Sequence, residues 1–164
     1  MDTALEKNWE VYALKYAVRS DRTRKDSFIF DDHSNDNHTI DYFIWVLKSE
    51  DSIIVVDTGF DYDEAKRRNI PNERSPSEAL KFININSADV TDVIITHLHY
   101  DHAGGLSEFP KANFHLQEDE MAYATGPCMC HETIKKPFTG EHVCQMVRSL
   151  YSGRVVFHNG IGSI

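Results

Sequence analysis

His97, His99, Asp101 and His102 fall within six consecutive positions of the segment "VIITHLHYDHAGG", residues 93–105. Imidazole and carboxylate side chains together make a ligand set suited to zinc, iron, nickel or cobalt, and poorly suited to calcium or magnesium. The segment sits directly behind a run of β-branched residues, so these groups are expected at the end of a buried strand. A strand alternates its faces, so His97 and His99 share a side if the extended backbone persists that far. Asp101 and His102 lie past the strand end and can turn toward a second metal position. Gly104 and Gly105 let the backbone pass close to such a site and turn away from it. The plain alternative is a set of solvated loop histidines. The H-x-H-x-D-H spacing behind an apolar strand argues for metal instead.

The elements that must position this segment lie on both sides of it. "WEVYALKYAVR" (9–19) alternates in part and is rich in Val, Tyr and Trp, which predicts a strand. A polar stretch follows, in which "SFIF" is a possible short strand. Tyr42 to Leu47, the turn "KSED" and Ser52 to Asp57 read as a hairpin, with "IIVV" apolar enough on both faces for a central strand. "DYDEAKRRN" reads as a short polar helix. Ser75 as N-cap, Pro76 at the first helical position and Glu78 three residues after the cap mark the next helix. Ala79, Leu80, Phe82 and Ile83 give that helix its apolar side. "DVIIT" (92–96) is the strand leading into the histidines. "ANFHLQ" is a further strand and "EDEMAYA" a helix start, its acids favoured by the helix dipole. Val143, Met146, Val147 and Leu150 follow the spacing of an amphipathic helix, and "RVVFH" (154–158) is a strand after it. Strands and helices alternate, which predicts an α/β or layered α+β class in one domain over 1–164. Trp9, Phe43 and Trp45 are assigned to the core.

Composition narrows the partners. The chain has 164 residues, 41% of them hydrophobic and 26% charged, as in an ordinary globular domain. A net charge of -9 argues against nucleic acid or an anionic membrane surface. No run approaches the ~18 apolar residues of a membrane span. "MDTALEKNWEVYALKY" carries acids early and no continuous apolar core, which argues against a secretory signal. Three cysteines without a framework spacing fit a reducing compartment, so a cytoplasmic location is expected. "CMCH" (128–131) lacks the usual knuckle spacing and reads as a loop with free thiols.

"THLHYDHAGG" closely resembles the signature of the metallo-β-lactamase superfamily, and "VVDTG" at 55–59 resembles its first motif. The wording "HLHYDHAGG", with an aromatic residue before the aspartate, is most similar to the N-acyl-homoserine-lactonase-like branch. The resemblance covers residues 40 to 125 well. It implies a four-layer αβ/βα sandwich and a metal-dependent hydrolase. It further implies that His97 and His99 bind a first metal, Asp101 and His102 a second, and that Asp57 supports the metal-bearing loop. Two zinc ions are expected in the complete fold, with iron, cobalt, nickel or manganese able to replace them. The implied chemistry is hydrolysis by a metal-bound hydroxide, with Asp101 as the catalytic group that orients it and passes a proton to the leaving alkoxide. The substrate implied is a small-molecule lactone or ester, as in quorum quenching. A glyoxalase-II-like thioesterase is the alternative, and a catalytically inert half-domain with a partial metal site is another. An apolar acyl groove would favour lactones; a basic patch for a glutathione carboxylate would favour thioesters.

The rest of the chain does not complete the ligand set that the resemblance implies. After His102 the histidines are His115, His131, His142 and His158. His115 falls inside a strand and His142 on a helix face. His158 has a fitting separation but not the expected glycine-rich turn. No aspartate follows Asp119, so the bridging carboxylate has no candidate. The chain is therefore expected to be the N-terminal half of the sandwich, with one sheet face uncovered and a possible tendency to form homo-oligomers.

Overall fold

The computed structural model describes residues 8–71 and 74–160. The start of the segment read against a secretory signal and the end of "FHNGIGSI" lie outside the described residues. Six strands form one sheet in chain order: β1 Glu10–Arg19, β2 Ile40–Lys48, β3 Ile53–Val56, β4 Asp92–Ile94, β5 Asn113–Gln117 and β6 Val155–His158. The first three strands run antiparallel, and β3 to β6 run parallel. Parallel strands need crossovers, and the helices supply them. These are α1 Tyr62–Arg67, α2 Pro76–Leu80, α3 Tyr100–Ala103, α4 Glu118–Thr125, α5 Glu132–Lys135 and α6 Gly140–Tyr151. No helix among the described residues is long and apolar enough to cross a membrane.

Strand register explains where the core lies. Tyr12, Val46, Val55, Val93, Phe114 and Val155 stand directly opposite one another across all six strands. The four central members of this row are wholly buried under the helices. Met146 of α6, Leu80 of α2 and Phe109 close that face. The neighbouring row points the other way: Ala13, Trp45, Val56, Ile94, His115 and Val156. Trp45 keeps 47% of its surface exposed and Val156 keeps 40%. Phe43 and Trp9 are exposed too. The assignment of Trp9, Phe43 and Trp45 to the core is therefore corrected: Phe43 and Trp45 belong to the sheet's second face, which no helix among the described residues covers, and Trp9 stands exposed just before β1.

Local signals account for several elements and fail for others. The start of α2 is as the sequence predicts: Ser75 Oγ accepts from the Glu78 N–H, and the Glu78 side chain accepts from the Ser75 N–H. Phe82, expected on the apolar side of that helix, is instead 71% exposed, because α2 ends at Leu80 and a 3-10 turn rotates Phe82 outward. "SFIF" forms no strand. Its Phe28 N–H closes a turn onto Arg24 O, and Ile29 and Phe30 face solvent. "IIVV" is wholly covered only at Val55; its other residues are half-buried.

Candidate metal centre

β4 ends at Ile94, two residues short of the predicted strand, so a pleat does not align His97 with His99. A set of anchors on the following loop does so instead. Leu98 N–H donates to Glu120 Oε1 of α4 at 2.7 Å. His99 pairs with Phe138 in an isolated antiparallel bridge, and their rings meet edge-on at 4.7 Å. Tyr100 N–H donates to Pro137 O at 2.9 Å. Held this way, the His97 and His99 rings lie 4.4 Å apart. Asp101 and His102 ride on α3, whose single turn carries His102 back until its ring is 3.9 Å from that of His97. His102 Nε2 stands 3.6 Å from Asp101 Oδ2.

Asp57 is buried at the end of β3 and organises this loop from behind. Its Oδ2 lies 2.7 Å from His102 Nδ1, and its Oδ1 accepts from the Thr96 N–H at 2.8 Å. Thr96 Oγ1 touches both carboxylate oxygens at 2.9 Å and His97 Nδ1 at 3.0 Å. Asp57 reaches this position with φ of 62°, a left-handed conformation that Asp adopts more readily than most residues. The next residue continues the clasp: Thr58 N–H and Oγ1 both donate to His102 O, at 2.7 and 3.0 Å. The two motif loops then touch backbone to backbone. Gly104 N–H donates to Gly59 O at 2.7 Å, and a Cβ on Gly105 would sit 2.4 Å from Thr58 O. That contact is why glycine stands there.

Burial, with His102 beside it, pushes the His97 imidazole below its ordinary pKa; burial and His97 do the same to His99. Both shifts favour the neutral ring, the form that can donate a lone pair to a metal. Burial also opposes charge on His102, but the hydrogen bond and charge of Asp57 outweigh it and raise that pKa. With Nδ1 engaged by Asp57, the free lone pair of neutral His102 is on Nε2, toward Asp101. Burial raises the phenols of Tyr16 and Tyr100, which pack beneath the loop as uncharged core groups.

The donor set suits a divalent transition ion in kind: three imidazoles and a carboxylate on one braced loop. It is short of a closed site. As the side chains stand, no three His, Cys, Asp or Glu groups among the described residues bring their ligating atoms together to hold an ion. His115 and His142 do not join them. His115 Nδ1 is 3.0 Å from His158 Nε2 and its Nε2 is 3.1 Å from Asp92 Oδ1, a polar chain on the uncovered sheet face. His142 lies buried on α6 near Glu64. Cys128, Cys130 and Cys144 are free thiols.

The sequence reading missed Thr96, Thr58, Glu120 and Phe138. Glu120 was legible only as a helix-dipole acid, and the others carry no signal beyond their neighbourhood. Phe138 also walls an apolar groove of about 910 Å3 that includes Ala124, Met129, Val143 and Val147. A buried network flanks the site on α1, where Glu64 accepts from both Arg67 and Arg68 and from Thr139 Oγ1. Burial works against the charge on Glu64, but these partners prevail and hold its carboxyl down to about 2.

Comparison with known proteins agrees with this architecture. A hydroxyacylglutathione hydrolase of Saccharophagus degradans is 28% identical over 103 residues, covering 62% of this chain and 32% of that protein. The N-acyl homoserine lactonase AttM of Azorhizobium caulinodans is 42% identical over 48 residues, 29% of this chain and 18% of that enzyme. The crystal structure of a quorum-quenching N-acyl homoserine lactone lactonase superposes with a TM-score of 0.66 at 18% identity, over 96% of this chain and 59% of that one. The hydrolase AbOPH of the beta lactamase superfamily gives 0.70 at 17% identity, over 95% and 60%. The chain thus spans about a third of the hydroxyacylglutathione hydrolase and about three fifths of each of these solved structures. The family model of the metallo-beta-lactamase superfamily matches residues 41–136, more than half of the chain and both motif loops. The chain belongs to the metallo-beta-lactamase superfamily.

Proposed function

We propose that this chain supplies the metal-loop half of a hydrolase that opens a lactone ring, and that further ligands come from residues outside these 164. The observation that carries the reading is the convergence of His97, His99 and His102 on one loop, with Asp57 gripping His102. His97, His99, Asp101 and His102 would hold divalent ions, zinc first among them. When bound, such ions polarise a carbonyl and make water a nucleophile near neutral pH. The chain's own residues do the rest. Asp101, half-buried beside His102, holds and releases a proton at its carboxylate. Phe138 and the apolar groove behind it exclude water and take an acyl chain. Free thiols support a reducing, cytoplasmic setting.

Thioester hydrolysis is the second reading. It is favoured by the longer match to a hydroxyacylglutathione hydrolase, 103 residues against 48 for the lactonase AttM. The test uses zinc-loaded protein from the full reading frame that contains this segment, assayed against an acyl homoserine lactone and an acyl thioester. Turnover of either that disappears in His97→Ala/His99→Ala protein is expected. Turnover that survives that double substitution overturns the metal-loop reading, as does a full-length protein inactive on both.

A further inference from the structure

Asp92, His115 and His158 climb diagonally across the parallel strands β4, β5 and β6. Asp92 stands opposite Asn113, and His115 lies two residues further along β5. His115 stands opposite Val156, and His158 lies two residues further along β6. Steps of two keep a strand side chain on one face, so all three point away from the helices. There His115 Nε2 lies 3.1 Å from Asp92 Oδ1, and its Nδ1 lies 3.0 Å from His158 Nε2.

The carboxylate decides the state of the ring between. An ionised carboxylate only accepts, so neutral His115 carries its proton on Nε2, which leaves the Nδ1 lone pair facing His158. Asp92 is placed to hold that state. Its second oxygen accepts from Thr91 Oγ1 at 2.8 Å. Burial opposes its charge, but the bonds from His115 and Thr91 prevail and keep its carboxyl below the ordinary value. An imidazole braced by a carboxylate on one nitrogen and offering a lone pair from the other is the arrangement found at metal centres, and the brace makes it a better donor. His115 is only 8% exposed and held in this pose. His158 is half-buried at the end of the edge strand and has room to turn.

The 3.0 Å between the two nitrogens suits one shared ion as well as one shared proton. Imidazole nitrogens about 2.0–2.1 Å from a metal lie about 2.9 Å apart when they meet at a right angle, and about 3.3 Å apart in a tetrahedron. The spacing here is nearer the right-angled pair, which belongs to tetragonal copper(II) or nickel(II) rather than to tetrahedral zinc. We propose that His115 and His158 form a metal site separate from the metal loop, taking a copper(II) or nickel(II) ion through His115 Nδ1 and His158 Nε2. The ion takes the place of the hydrogen between the rings, and His158 then carries its proton on Nδ1. Water fills the remaining positions, reaching the pair through a cleft of about 340 Å3 beside Ile94, Thr96, Leu116 and Gln117. Two protein ligands make an exchangeable site, so its ion does not survive dialysis. The site stands whether or not the metal loop serves a hydrolase.

Copper(II) titration of the 164-residue chain carrying His97→Ala/His99→Ala, which disables the metal loop, tests this. One copper ion should bind saturably, with two nitrogens in its electron paramagnetic resonance signal, and nickel(II) should compete for it better than zinc. In that background His158→Gln should weaken copper binding by roughly tenfold or more and remove the two-nitrogen pattern. Circular dichroism checks that its fold is kept. Asp92→Ala should weaken binding roughly tenfold, and Asp92→Asn, which keeps an acceptor for His115, should restore most of it. That rescue separates a fixed tautomer from a general loss of structure. The absence of saturable copper binding overturns the proposal, as does an equal affinity and an unchanged signal in the His158→Gln protein. Zinc bound as tightly as copper contradicts the right-angled geometry and overturns it too.

Discussion

The Asp57 carboxylate reaches His102 Nδ1 at 2.7 Å with one oxygen and the Thr96 N–H at 2.8 Å with the other. One buried side chain thus sets both the orientation of a ligand ring and the path of the loop before it. Asp57→Asn keeps the size and tolerates the same left-handed backbone, so the fold should survive. The amide cannot serve both partners as a carboxylate does, and zinc affinity should fall roughly 10- to 100-fold. Competition against a chromophoric chelator measures this. Unchanged affinity would show that His102 is oriented by something else.

Metal content gives a second expectation. His97, His99, Asp101 and His102 alone make half a binuclear ligand set, so the 164-residue chain should retain one equivalent of divalent ion or less after dialysis. Two tightly held zinc ions per chain would contradict this and bring His115, His142 or His158 back as ligands.

Stability should fall in acid for a stated reason. Glu64 keeps only 4% of its side chain exposed, and its carboxyl sits at about 2 against an ordinary 4.5. A depressed acid contributes stability that is complete above its unfolded pKa and is lost as pH falls through the folded value. The window here runs from about 4.5 down to about 2. The contribution is on the order of 3 kcal/mol at neutral pH. Denaturant unfolding at pH 7 should show Glu64→Gln destabilised by about that much, with a flatter dependence through the acid window. A variant with wild-type stability at both ends contradicts the assignment.

Assembly follows from the row Trp45, Val56, Ile94 and Val156 on the second sheet face. Trp45 and Val156 are exposed there and Val56 and Ile94 only half-buried, an apolar surface of the kind that mediates association. Burial at ~25 cal/mol per Å2 drives association. The chain made alone should dimerise, aggregate or remain partly molten. Light scattering after size exclusion decides it; a sharp monomer with cooperative unfolding would mean the face is covered in another way.

Much of this was legible where the signal is local. The α2 cap is written in Ser75, Pro76 and Glu78, and the ligand types in a six-residue stretch. What escaped is non-local. The alternation in β2 shows that Phe43 and Trp45 share a face, but it cannot say whether a layer covers that face. The pairing of His97 with His99 was expected from a pleat, yet it is enforced by Glu120 and Phe138, which lie more than twenty residues downstream. Thr96 and Thr58 read as ordinary strand-end residues; only folding shows their hydroxyls knitting the two motifs.

The chain of hydrogen bonds from Asp92 through His115 to His158 crosses the face whose central row is otherwise Ala13, Trp45, Val56, Ile94 and Val156. A uniform apolar row accepts a covering layer in many offsets of nearly equal energy. A layer that buries His158 has its second ring nitrogen to match, and leaving it unmatched is expensive. An offset that leaves it unmatched is thereby disfavoured. The uncovered face carries an address as well as a driving force: the hydrophobic row says that something must pack there, and the histidine pair says where it must stop.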